Sequence, residues 1–163
     1  MMKVYKTQSE VELDITKNGY LILSEDTYFD CSISIEASIM RKDIKKVNIY
    51  GKSISCRHIV ANSIIVDYIK SLDIVSFGDI IAKNINSWNI FTYGIKAYEI
   101  NVLDISYDYL CVALNKISYT RIESRSNCDY ISPTTQIKSR HLFHHSFMDN
   151  YANLCLGYFD VDI

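Results

Sequence analysis

The sequence predicts an all-β fold, a single-domain parallel β-solenoid, and three observations predict it. Isoleucine recurs at a five-residue spacing from Ile44 to Leu110. A small or apolar residue follows two places after nearly every one of them. The composition favours strands, with 25 isoleucines and 13 tyrosines against 10 leucines and one proline, Pro133. The chain has 163 residues and is 48% hydrophobic, enough for a buried core and too apolar for a disordered segment. Its formal charge of −2 argues against a strongly basic nucleic-acid binder and against an acidic tail.

The repeat comes first because a missed repeat misassigns the whole fold. Its positions are Ile44, Ile49, Ile54, Ile59, Ile64, Ile69, Ile74, Ile80, Ile85, Ile90, Ile95, Ile100, Ile105 and Leu110. Twelve of the thirteen steps are five residues long and one, Ile74 to Ile80, is six. The following small column runs Gly51, Cys56, Ala61, Val66, Ser71, Ser76, Ala82, Ser87, Thr92, Ala97, Val102 and Tyr107. The residue before each isoleucine is mostly polar, as in His58, Asp73, Asn89 and Asp104.

A period of five suits neither a helix nor a flat strand. Two residues spaced by two can share one face of a short strand, and the rest of the pentad then turns a corner. Four such sides would close a coil of about twenty residues, stacked at roughly 4.8 Å. Ile54 is then expected over Ile74, and Ile69 over Ile90. The polar residue before isoleucine suits a corner, where its side chain can bond the turning backbone. Gly78 within the six-residue step suits a bulge.

These residues resemble the pentapeptide-repeat family, which implies a right-handed four-sided β-helix. The order differs, since that family places the small residue two before the large one. The pattern is also similar to short bacterial and phage solenoids rich in Ile-x-Ala-x-Asn units, which carry an Ile-Ser-Tyr segment like Ile105-Ser106-Tyr107. A left-handed hexapeptide helix would need six-residue steps, and only one step fits.

The flanks are read as caps. Residues 1–43 form an N-terminal cap and first irregular coil, 44–124 the pentad solenoid, and 125–163 a C-terminal cap or dimerisation segment. Thr7-x-x-Glu10 and Ser9-x-x-Glu12 are capping-box patterns for a short helix ending before Asn18-Gly19. Tyr20–Leu23 and Tyr28–Ala37 read as strands. Ile117 and Ile122 extend the repeat by a partial coil, and Arg125–Pro133 reads as loop. Leu142, Phe147, Tyr151, Leu154 and Tyr158 lie at helical spacing, which predicts a C-terminal helix able to cover the last coil or to self-associate as a homodimer.

Chemistry is sparse. The five cysteines, Cys31, Cys56, Cys111, Cys128 and Cys155, are odd in number and without a C-x-x-C, which reads as reduced thiols in a cytoplasm. No apolar run is long enough for a membrane span, so no membrane partner is expected. His141, His144 and His145, near Asp149, are the one group with metal-ligand character, but the Glu of H-E-x-x-H is missing. No metal, cofactor or catalytic residue is expected, nor a nucleophile elbow or phosphate loop.

Trp88, Tyr93, Tyr98 and Leu103 stand two places before successive isoleucines, on the outside, and form the candidate protein-binding residues. Some pentapeptide-repeat proteins are thought to mimic DNA. Between Ile44 and Arg121, however, basic side chains outnumber acidic ones, and no basic stripe suits direct nucleic-acid binding. The expected function is a non-enzymatic protein-interaction module that self-associates. The alternatives are a phage or mobile-element inhibitor of a host nucleic-acid-processing or defence enzyme and, more weakly, a metal-dependent enzyme using the C-terminal histidines.

Overall fold

The computed structural model describes residues 1–42, 46–124, 131–133 and 136–138. Among them the chain is a β-solenoid of about six turns. Its elements are β1 (Met2–Tyr5), α1 (Gln8–Leu13), β2 (Tyr20–Leu23), β3 (Asp26–Phe29), β4 (Ile33–Ser34), β5 (Ser38–Arg41), β6 (Asn48–Ser55), β7 (His58–Ala61), β8 (Ser63–Tyr119), β9 (Arg121–Ser124), β10 (Ile131–Pro133) and β11 (Gln136–Lys138). Every pairing between these strands is parallel. The 57-residue run β8 bends at each corner and winds through more than three coils.

The solenoid is as expected, but its coil is not four-sided. Ile49 pairs with Ile64, Ile54 with Ile69, and Ile59 with Ile74, each fifteen residues apart. Three pentads therefore close one coil, and Ile54 lies beside Ile69 rather than Ile74. The first side carries Ile49, Ile64, Ile80 and Ile95. The second carries Ile54, Ile69, Ile85 and Ile100. The third carries Ile59, Ile74, Ile90 and Ile105. The six-residue step lengthens one coil to sixteen, so Asn89 bonds Asp73. Ile90 thus stacks on Ile74, where four sides would have brought it to Ile69.

All twelve described isoleucines of the repeat, from Ile49 to Ile105, are buried and form one interior cluster; Ile44 lies outside the described residues. Each such side chain contributes roughly 1.5–3 kcal/mol of burial. Beyond Ile105 the inward residue on the first side is Cys111, followed by Ala113, and the next is Ile117. Cys111 stands six places after Ile105, one more than the pentad step.

The corners work differently from expectation. Hydroxyls of the small inward column close them. Ser76 Oγ lies 2.9 Å from the Asn62 carbonyl one coil back and 3.1 Å from the Gly78 carbonyl ahead. Ser71, Ser87 and Thr92 repeat the pattern. Each hydroxyl thus bridges two carbonyl oxygens, one two residues ahead and one on the preceding coil, where Asn62 O also accepts the Gly78 N–H. The polar residue before isoleucine instead bonds its stacked neighbours, as Asn89 Nδ2 does to Asp73 Oδ1 at 2.5 Å.

Gly78 is required by space. Its N–H donates to Asn62 O at 2.5 Å, and a Cβ there would lie 2.5 Å from Ser63 Oγ and 3.0 Å from Asn62 O. The N-terminal cap follows its signals. Thr7 Oγ1 accepts from Glu10 N–H, α1 buries Val11 in the core, and Gly19 turns the chain at φ +79°. Strand β1, not foreseen, precedes this helix and pairs with β3. The segment foreseen as Tyr28–Ala37 is divided among β3 and β4. Ile131–Pro133, expected as loop, pairs as β10 with Cys111–Ala113.

Candidate functional site

With three sides, the residue two before each isoleucine stands at one of three edges. Trp88, Tyr93 and Tyr98 are exposed by 58%, 46% and 52%, and they fall on three different edges. Leu103, half-buried, lies fifteen residues after Trp88 and returns to the same edge. The four predicted binding residues are therefore one pair and two separate rings.

The edge between the second and third sides is built rung by rung. Leu72 N–H donates to Arg57 O at 2.8 Å, Ser87 Oγ bonds Leu72 O at 3.1 Å, and Thr120 N–H donates to Leu103 O at 2.7 Å. The column thus reads Arg57, Leu72, Trp88, Leu103 and Thr120. Leu72, exposed by 37%, was missed because a twenty-residue coil would have put it on another side from Trp88. Its signal was present, since it stands two before Ile74. Beside Trp88 runs an open groove of about 370 Å³ that takes in Glu36, Arg57, Lys70, Leu72 and Asn86. Arg57 Nη2 lies 3.5 Å from Glu36 Oε2 at its rim. The edge offers one indole, aliphatic flanks and mixed charges, which is chemistry for contact with a protein surface.

Tyr98 borders a second groove, about 610 Å³, with Ile81, Lys83, Lys96 and Leu114. Lys83 is held there by Asp67 at 2.7 Å. This edge has no indole and its lysines flank the apolar floor.

The groups that could carry chemistry are poorly disposed for it. Burial pushes the Cys56 thiol up to about 12, although Ser71 opposes the shift, and burial does the same to Cys111. The shift favours the protonated thiol at neutral pH, the less nucleophilic form. Cys56 occupies an inward corner slot, with Sγ 3.6 Å from the His58 carbonyl. His58 Nδ1 lies 2.9 Å from Asp73 Oδ2, close enough for an ion pair when the ring is protonated but off the line of a hydrogen bond. Burial raises the Asp104 carboxyl above its ordinary range, and Arg121 partly offsets this. Among the described residues no three metal-ligating side chains converge. His141, His144 and His145, and the predicted self-association residues Leu142, Phe147, Tyr151, Leu154 and Tyr158, lie outside the described residues. No described helix is long and apolar enough to cross a membrane.

No protein family, no curated protein and no solved structure matches this chain.

Proposed function

We propose that this solenoid is a non-enzymatic protein-interaction module that binds its partner along the edge carrying Leu72, Trp88 and Leu103. The observation that supports it is the exposure of the chain's one tryptophan on a rigid edge between two leucines. An exposed indole costs solvation that a soluble rod has no structural need to accept, and tryptophan is enriched where binding energy concentrates. The stacked backbone holds these side chains at fixed spacing, so little conformational freedom must be lost on binding.

The test compares wild-type bait with Trp88→Arg in affinity capture from lysate of the natural host, read by mass spectrometry. The expected result is a partner that wild type recovers and Trp88→Arg loses, with an unchanged melting temperature. Loss of a hot-spot residue costs about 2 kcal/mol or more, roughly thirtyfold in affinity. Equal recovery by both baits would overturn the assignment of the edge. A nucleic-acid-processing enzyme as the lost partner would make the protein an inhibitor of the kind the phage resemblance implies.

A further inference from the structure

The outer surface of the first side is apolar over most of its length. Pairing sets Val4, Tyr28, Tyr50 and Ile65 on four successive rungs. The sixteen-residue and fifteen-residue steps add Ile81 on the fifth rung and Lys96 on the sixth. Val4, Ile65 and Ile81 are exposed by 43%, 41% and 44%, and both tyrosines are half-buried. The second side instead shows Lys70, Asn86 and Asn101 to solvent. Five apolar rungs make a flat stripe about 19 Å long.

The edge between the first and second sides carries charges of alternating sign. Lys6, Asp30, Lys52, Asp67 and Lys83 follow one another along the coils, and all five are exposed. Asp30 N–H donates to Tyr5 O at 2.9 Å, which sets Lys6 beside Asp30. Gly51 pairs with Val66, which sets Lys52 beside Asp67. Lys52 Nζ lies 3.3 Å from Asp30 Oδ1, and Lys83 Nζ lies 2.7 Å from Asp67 Oδ1. Tyr98 follows on the sixth rung of this edge.

An alternating ladder selects how a second copy can meet it. Consider a two-fold axis along the strand direction, halfway between the third and fourth rungs. Asp30 then meets the partner's Lys83, Lys52 meets the partner's Asp67, and Lys6 meets the ring of the partner's Tyr98. On the stripe, Tyr50 falls on the partner's Ile65. Tyr28 falls on the partner's Ile81, within the groove of about 610 Å³ beside Tyr98. Placing the axis on a rung sets like charges against like. Placing it along the solenoid sets Asp30 against Glu25 of the same rung.

We infer that two copies of this chain pack antiparallel, first side against first side, as a homodimer. The apolar stripe supplies the buried surface and the charge ladder sets the register. The Trp88 edge, between the second and third sides, points away from this contact and stays open.

Analytical ultracentrifugation of the full chain is expected to show a reversible monomer–dimer equilibrium. Ile65→Arg and, as an independent site, Ile81→Arg should each raise the dissociation constant by about a hundredfold, because a two-fold interface counts every substitution twice. Both side chains already face solvent in the single chain, so the circular dichroism spectrum should not change. Asp30→Lys and Lys83→Asp should each weaken the dimer by about tenfold. Both reversals in one chain should restore it. Within a chain the double reversal still sets like charges beside Lys52 and beside Asp67, so recovery reports pairing between chains. A chain that stays monomeric at about 0.1 mM would overturn the inference, as would a dimer that survives both arginine substitutions. A double reversal that binds no tighter than the single ones would overturn it too.

Discussion

In the N-terminal coils a rung returns to its own side after 18 to 24 residues, whereas in the pentad coils it returns after 15 or 16 as far as Ile105, and after 17 from Ile105 to Ile122. The interiors differ accordingly. The early coils bury Tyr5, Leu21, Leu23, Phe29 and Ile33 and are sealed by Val11 of α1, with the Tyr5 and Phe29 rings stacked at 5.4 Å. Each pentad side buries one isoleucine and mostly one small residue. Bulky, irregular contents hold a wide coil open, and a uniform branched-plus-small filling closes at three sides. Corner hydroxyls such as Ser76 then tie each bend to the coil before it through that coil's carbonyl.

The sharpest way to break the comparison is a charge inside the narrow coil. Ile90→Asp buries an unpaired carboxylate and should cost more than about 4 kcal/mol, unfolding the protein or lowering its melting temperature drastically. Leu13→Asp, on the exposed face of the N-terminal helix, should leave it nearly unchanged. Circular dichroism melts check both, and equal effects would contradict the inward assignment.

Thiol reactivity extends the same contrast. Cys56 and Cys111, with thiols near 12, should alkylate at pH 8 on the order of a thousandfold more slowly than ordinary thiols, until the protein is unfolded. Cys31, half-buried in the early coils, should react sooner. Its own thiol is raised by burial and by Glu10 and Asp30. Iodoacetamide labelling with peptide mapping separates the sites.

Gly78→Ala probes the six-residue step, where a Cβ would meet Ser63 and Asn62 of the preceding coil. The expected loss is about 1–3 kcal/mol. An unchanged denaturation midpoint would mean that the step is loosely packed.

The smallest effects are in pH dependence, and they run in opposite directions. Asp14 in the cap is lowered by its bonds from Lys3 and Tyr5. Its contribution is present above its unfolded pKa and is lost as pH falls through the folded value. Asp104 in the pentad coils is raised by burial. Its charged form opposes folding at neutral pH, and the penalty fades as pH falls through the raised value. Asp14→Asn should therefore lower the melting temperature slightly at pH 7, and Asp104→Asn should raise it. Both differences should shrink in acid.

Much of the fold was legible because inward alternation leaves a mark on every pentad. Ile49 to Ile105 were identified as buried from spacing alone, and the Thr7 cap and Gly19 turn from local chemistry. The number of sides was not legible. A period of five states how many residues make one side, and says nothing of how many sides close. That gap carried into the site. With twenty residues per coil, Trp88, Leu103 and Leu72 belong to different sides, and only the fifteen-residue register brings them onto one edge. Strand β1 was missed because Met2–Tyr5 lies before a strong helix signal and its partner, β3, is remote in sequence. The six-residue step from Ile105 to the buried Cys111 was hidden because the five-residue position also carries an apolar residue.

The three-sided coil underlies the proposed binding edge and the stacking of the repeat isoleucines from Ile49 to Ile105. It is tested most directly by inter-strand backbone NOEs in uniformly ¹³C,¹⁵N-labelled protein. The account predicts cross-peaks that pair Ile54 with Ile69 and Ile59 with Ile74 in parallel register. Cross-peaks pairing Ile54 with Ile74, the contact of a twenty-residue coil, would contradict it.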